Sequence, residues 1–189
     1  MKILTGYLKG KTLAFEAGGE TRPTTDKVRK AAFDVLQGYA EGKRVLDLYS
    51  GTGAMGLEAL SQKASFVLFV EKDPVKTKRI EVLLKRWDLE GSAEVLCSDA
   101  VHAVKRSELG GDNFDLVFLD PPYGEGLGAV TLGVLAEADI LAEGGLVFVE
   151  TGKKEDLPEE ILLLKLVRDK KYGQSRLRIY RKTARAKSA

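Results

Sequence analysis

At 189 residues the chain fits one domain, and its single cysteine and single histidine exclude an internal disulfide and a Cys/His zinc centre, so no metal is expected. It has no run of 18 apolar residues and no charged-then-apolar leader, which makes a soluble, cytoplasmic protein with no membrane partner the expectation. The net charge of +2 conceals a segregation: residues 1–45 carry nine Lys/Arg against five Asp/Glu, residues 165–189 ten against one, and residues 46–164 eleven against twenty-two, an arrangement that suits a polyanion and favours nucleic acid.

In chain order, residues 1–15 alternate around Lys9-Gly10-Lys11, which predicts a β-hairpin. Thr24 or Thr25 can cap a following helix whose apolar positions Val28, Ala32, Val35 and Leu36 share one face. From residue 43 strands and helices alternate. Strands are predicted at 44–48, 66–71, 94–97, 114–119 and 145–150, with helices at 54–62, 74–87, 99–107 and 126–141. Strand-like segments 161–168 and 176–181, joined by a turn at Lys171-Tyr172-Gly173, have no helix between them and predict an antiparallel edge hairpin. The expected fold is α/β: a doubly wound, mostly parallel seven-stranded Rossmann-like sheet with an N-terminal β-hairpin extension. Three segments follow: 1–40 as the hairpin and helix, 41–182 as the catalytic domain, and 183–189 as a basic disordered tail. Cys97 ends an apolar segment and reads as a buried, inert thiol, and Trp87 closes an apolar helix stripe and reads as core. His102, three residues after Asp99, reads as a helix surface residue.

The first core strand runs into Ser50-Gly51-Thr52-Gly53-Ala54-Met55-Gly56, a formal match to the dinucleotide fingerprint, with Glu71 twenty residues beyond Gly51. Charge argues against that reading. A pyrophosphate laid on the glycine loop would sit close to the carboxylate of Asp47, and like charges at that range repel. S-adenosylmethionine, with a sulfonium, an α-ammonium and one carboxylate, suits the same loop better. Asp47 can attract its cationic end, Gly51 and Gly53 admit it closely, Glu71 can accept from the ribose hydroxyls, and Asp99 from the adenine amine. Tyr49, Lys72 and Ala100, beside these acids, complete the expected cofactor set. These strand-end landmarks are expected to converge on one crevice.

The apolar run Phe114-Asp-Leu-Val-Phe-Leu119 delivers Asp120-Pro121-Pro122-Tyr123 at its carboxyl end, the edge where open α/β sheets bind ligands. Two prolines remove backbone donors and stiffen the loop, leaving carbonyls that only accept. Asp120 adds a second acceptor and Tyr123 a flat aromatic face. Together they suit a planar base that carries an exocyclic NH2.

Arg22-Pro-Thr-Thr-Asp-Lys-Val-Arg29, Val45-Leu-Asp-Leu-Tyr-Ser-Gly-Thr-Gly-Ala-Met-Gly-Leu-Glu-Ala-Leu60 and Phe114-Asp-Leu-Val-Phe-Leu-Asp-Pro-Pro-Tyr123 resemble the RsmD-type 16S rRNA guanine-N2 methyltransferases, within the class I S-adenosylmethionine-dependent methyltransferases. The resemblance runs from Lys2-Ile-Leu-Thr-Gly6 to the Tyr172-Gly173 turn. It implies methylation of one guanine of 16S rRNA, presented in a 30S subunit or assembly intermediate, by a monomer. Residues 1–40 would then face RNA, with Arg22, Lys27, Arg29 and Lys30, and with Lys170, Lys171, Arg176 and Arg178, gripping phosphates. Three other readings compete. An adenine-N6 DNA methyltransferase uses the same four-residue motif but needs a target-reading insertion. A nicotinamide-dependent oxidoreductase is opposed by Asp47 and the Asp-Pro-Pro-Tyr loop, and a non-catalytic RNA-binding protein has no need for Asp120.

Overall fold

Strand β1 (Arg44–Leu48) carries four consecutive buried residues and β2 (Phe66–Glu71) five, as parallel strands covered on both faces require. The computed structural model describes residues 1–13, 26–36, 38–105 and 113–184. Two compact units divide the chain, Met1–Asp99 and Ala100–Ala189.

In the first unit β1, β2 and β3 (Ala93–Cys97) pair in parallel, in the order β3-β2-β1. Helix α1 (Asp26–Leu36) buries Val28, Ala32, Phe33 and Leu36. Val35, expected on that face, is half-exposed, and Phe33 replaces it. Helix α2 (Ala54–Ser61) is buried at every residue, so it shows no polar face despite containing Glu58 and Ser61. It lies so close to β2 that a Cβ on Gly56 would fall 2.2 Å from the Phe69 ring. Helix α3 (Pro74–Arg86) is capped by Asp73, whose carboxylate accepts from the Val75 and Lys76 amides, with Pro74 in the first turn.

The expected N-terminal hairpin forms as a short antiparallel pairing: Lys2 bridges Thr12, the Ile3 amide donates to the Lys11 carbonyl, the Gly10 amide to the Ile3 carbonyl and the Leu13 amide to the Met1 carbonyl. The segment is also anchored to α2. Glu58 accepts from the amides of Leu4 and Thr5 and from the Thr5 hydroxyl. The Ser61 hydroxyl accepts from the Leu8 amide and donates to the Thr5 carbonyl. Ile3, Leu8 and Leu13 are buried. The segment is therefore held both by its own short pairing and by side chains of a helix. Trp87 is half-buried rather than core, with the Lys11 ammonium 5.3 Å from its ring centre. Cys97, expected to be buried, is exposed. The final residue of β3 stands at the end of a strand whose residues are half-buried at best.

The second unit holds α4 (Ala100–Lys105), β4 (Phe114–Leu119), α5 (Leu127–Glu137), β5 (Leu141–Gly152), β6 (Glu160–Ile161), β7 (Leu164–Tyr172) and β8 (Ser175–Lys182). The strand order is β4-β5-β8-β7-β6, parallel for β4 and β5 and antiparallel beyond. The expected edge hairpin forms, with Tyr172 paired to Ser175 and Gly173 at φ +59° in the two-residue turn between them. Eight strands occur among the described residues where seven were expected. The extra one is β6, split from β7 by a turn at Leu162, which takes φ +51°. The chain is thus α/β and parallel at its core, as expected, with an antiparallel edge.

Candidate active site

The loop after β1 is shaped by backbone conformation first. Tyr49, Gly51 and Gly53 take φ of +59°, +54° and +73°, so three of five consecutive residues are left-handed. Glycine adopts this region freely, whereas tyrosine does so at a cost. The turn leads directly into α2, whose N-terminal Gly53 offers no side-chain cap.

Two carboxylates satisfy that corner. Asp47, the fourth residue of β1, accepts from the Gly56 amide at 2.9 Å and so places negative charge at the start of α2. Glu71, the last residue of β2, accepts from the Gly51 amide at 2.8 Å and the Asp73 amide at 3.0 Å. Both acids are buried. Burial pushes the Asp47 carboxyl up to about 7; the Gly56 bond opposes the shift and the charge of Glu71 adds to it. An acid so destabilised in its charged form is relieved by a cation.

This arrangement tests the two cofactor readings. The amides of Gly51 and Gly56, which a pyrophosphate would need on the glycine loop, are already donated to carboxylates. An anionic dinucleotide finds acids where it needs donors. The donor set fits S-adenosylmethionine: Asp47 would face its cationic end, and each Glu71 oxygen keeps acceptor capacity for ribose hydroxyls beyond its one backbone bond. Asp99, two residues past the end of β3, is exposed, as is Lys72, and Tyr49 is half-buried. Asp47, Tyr49, Gly51, Gly53, Glu71 and Lys72 thus cluster at the carboxyl ends of β1 and β2. Ala100 is buried and opens α4.

In the second unit β4 ends at Leu119, and the loop Asp120–Tyr123 follows. Asp120 is half-exposed, Pro121 buried and Pro122 exposed. Tyr123 is 41% exposed, yet its hydroxyl is fixed. It donates to Glu150 Oε1 at 2.6 Å and lies 3.0 Å from the Ser175 hydroxyl. The ring rests over Gly152, whose Cβ, if present, would stand 3.8 Å from Tyr123 Cβ and Cγ. Burial and the bond to Glu150 push the phenol well above its ordinary range, and the nearby Asp120 charge adds to this. Sequence reasoning missed Glu150 and Ser175. They stand 27 and 52 residues from Tyr123 and belong to no local motif.

The expected phosphate grip is corrected at several positions. Arg29 is 0% exposed, its guanidinium held 3.5 Å from Glu58, 2.6 Å from the Lys2 carbonyl and 3.0 Å from Asp26. It cannot reach a phosphate; it neutralises the buried Glu58 that anchors the N-terminal segment. Arg178 is likewise buried, donating to Thr151 Oγ1 and the Glu155 carbonyl. Arg176 is engaged by Asp169. Lys30, Lys170 and Lys171 are exposed. Arg22 lies outside the described residues, as does the side chain of Lys27. His102 is exposed on α4. Among the described residues no group of acids, histidines and cysteine is arranged to hold a metal ion, and no helix is long and apolar enough to cross a membrane.

A glycine-loop acid pair and an Asp-Pro-Pro-Tyr loop on an α/β frame are features of class I methyltransferases. The family model described as conserved hypothetical protein 95 matches residues 1–181, and the chain belongs to that family, which includes the small-subunit rRNA methyltransferase D proteins. The YlbH protein of Bacillus subtilis (strain 168) is 36% identical over 185 residues, covering 96% of this chain and 99% of the relative. Ribosomal RNA small subunit methyltransferase D of Escherichia coli (strain K12) is 31% identical over 188 residues, covering 100% of this chain and 93% of the relative. The solved structure of YhhF from Escherichia coli superposes with a TM-score of 0.87 at 30% identity, covering 98% of this chain and 99% of that one.

Proposed function

We propose that this protein transfers a methyl group from S-adenosylmethionine to the exocyclic N2 amine of a guanine in 16S rRNA. The substrate is a 30S subunit or its assembly intermediate, and the enzyme acts as a cytoplasmic monomer. The observation that carries the reading is the loop after β4, where a half-exposed carboxylate precedes a tyrosine whose ring is held by its hydroxyl. Family membership supports RNA as the acceptor.

An exocyclic amine is a poor nucleophile because its lone pair is delocalised into the ring. The Asp120 carboxylate and the Pro121 carbonyl each accept one N–H, which draws the nitrogen toward tetrahedral geometry and frees that pair. A hydrogen bond to a charged group is worth about 1.5–3 kcal/mol. S-adenosylmethionine, when bound, supplies a methyl on a sulfonium that leaves as a neutral thioether, so no protein acid is required. The amine proton passes to Asp120 or to water as the N–C bond forms. Tyr123 stacks on the extruded base for roughly 1–3 kcal/mol, offsetting part of the unstacking cost. Asp47 and Glu71 hold the donor, and alignment of donor and amine provides the rest.

Incubation with labelled cofactor and separate 30S, free 16S rRNA and DNA substrates tests this. N2-methylguanosine in small-subunit RNA is expected. N6-methyladenosine in DNA would overturn the assignment.

A further inference from the structure

Tyr123 is the exposed member of a hydrogen-bonded group that ties it to the buried Glu150 and the half-exposed Ser175. Its phenol has one proton to give. That proton goes to Glu150 at 2.6 Å, so the Ser175 hydroxyl, 3.0 Å away, must donate to the phenol oxygen. The pleat explains why these residues meet. Glu150 and Gly152 are two apart on β5 and so share one face of the sheet, and Gly152 pairs with Ser175 across the antiparallel β5–β8 ladder. On that face Glu150 and Ser175 present side chains while Gly152 presents none. The missing side chain is the seat of the tyrosine ring.

We propose that Glu150 and Ser175 are positioning residues that lock the Tyr123 ring at the angle at which the target base stacks, with Gly152 as the floor beneath it. The inference rests on the reading that Tyr123 stacks on the base, and it goes further by naming what sets the ring's orientation. An unanchored tyrosine on an exposed loop loses rotamer freedom when a base binds, and that ordering weakens binding. Here the ring is ordered before the base arrives. Burial first, and then the bond to Glu150, hold the phenol in its protonated form, while the bond from Ser175 opposes this. Glu150 is 3% exposed, so it acts through the phenol and not on the base.

The test is a double-mutant cycle on KM for small subunits reconstituted from unmodified transcript, with S-adenosylhomocysteine affinity measured alongside. Y123F keeps the ring and deletes the anchored hydroxyl, and E150A deletes the main acceptor. Each should raise KM about fivefold to tenfold, the loss of one hydrogen bond, with cofactor-product affinity unchanged. E150Q retains a carbonyl acceptor without the charge and should recover most of the loss. The decisive comparison is E150A in the Y123F background, where it should add nothing. An unchanged E150A penalty in that background would show that Glu150 acts without the phenol and would overturn this proposal alone. S175A leaves the buried acid untouched; it should cost about twofold to threefold, and nothing in Y123F. That cycle decides the matter even if E150A fails to fold. Full activity of Y123A would overturn the stacking reading itself, and this inference with it.

Discussion

On the proposed reading, the two units place a carboxylate beside a reactive ligand in opposite ways. In the first, Asp47 accepts from the Gly56 amide in α2, and Glu71 from the amides of Gly51 in the glycine loop and of Asp73. In the second, the acceptor Asp120 stands half-exposed while a different acid, Glu150, is spent on fixing a neighbouring side chain. The first arrangement is made by main-chain donors, so it tolerates few backbone changes. The second is assembled from side chains distant in sequence and can be dismantled one hydroxyl at a time. If the proposed roles hold, binding the donor and orienting the acceptor should be separable by mutation.

The sharpest break in that comparison is Asp120→Ala. Turnover should fall on the order of 10²–10³-fold, as when one preorganised charge-stabilising contact is removed. S-adenosylhomocysteine binding should not change. Equal loss of both, by calorimetry and single-turnover assay, would mean that the two functions are not divided as described.

Next in size is Arg29→Ala, which tests a role rather than a reaction. It strands the buried Glu58 charge, and breaking one side of a buried pair costs about 3 kcal/mol or more. Urea denaturation should show this loss. A phosphate-gripping arginine would instead leave stability intact and weaken only RNA binding.

Asp47 sharpens the electrostatic half of the comparison. Its folded pKa, about 7, lies above the ordinary carboxyl value of 3.8, so folding holds its proton more tightly than the unfolded chain does. The stability this contributes is complete below about pH 3.8 and is lost as pH rises through about 7. Cofactor affinity runs the other way. A cationic ligand selects the ionised acid, so binding should tighten by up to about tenfold per pH unit below 7 and level off above it. Asp47→Asn should flatten the difference profile measured by calorimetry. An identical profile in the variant would assign the titration elsewhere.

How much of this the sequence disclosed follows from the range of the interactions. Strands β1, β2 and β4 were legible because buried parallel strands are continuous apolar runs, and their terminal acids were legible because position alone marks them. Arg29 misled because a charge in an amphipathic helix reads as solvated, and its partner Glu58 lies 29 positions on, inside a helix with no polar face. The Ile161-Leu-Leu-Leu164 run read as strand although Leu162 turns with φ +51° and is exposed, without any glycine or asparagine to signal it. Glu150 was unreadable for a related reason: its meaning depends on the β5–β8 register, which decides that Gly152 and Ser175 share its face.

The smallest effect concerns the basic hairpin, where the structure separates cations the sequence grouped. Arg178 is buried and Arg176 engaged by Asp169, but Lys171 is exposed near the β7–β8 turn. If Lys171 contacts one RNA phosphate, Lys171→Ala releases about one counterion fewer on binding. The slope of log affinity against log salt should then shrink by about 0.7–0.9. Lys171→Arg should keep the slope, since a phosphate contact needs charge rather than a particular fork. Filter binding across a salt series reads this directly. A slope unaltered in the alanine variant would assign Lys171 to solubility alone, and would leave recognition of the RNA to the ring and carboxylate of the loop after β4.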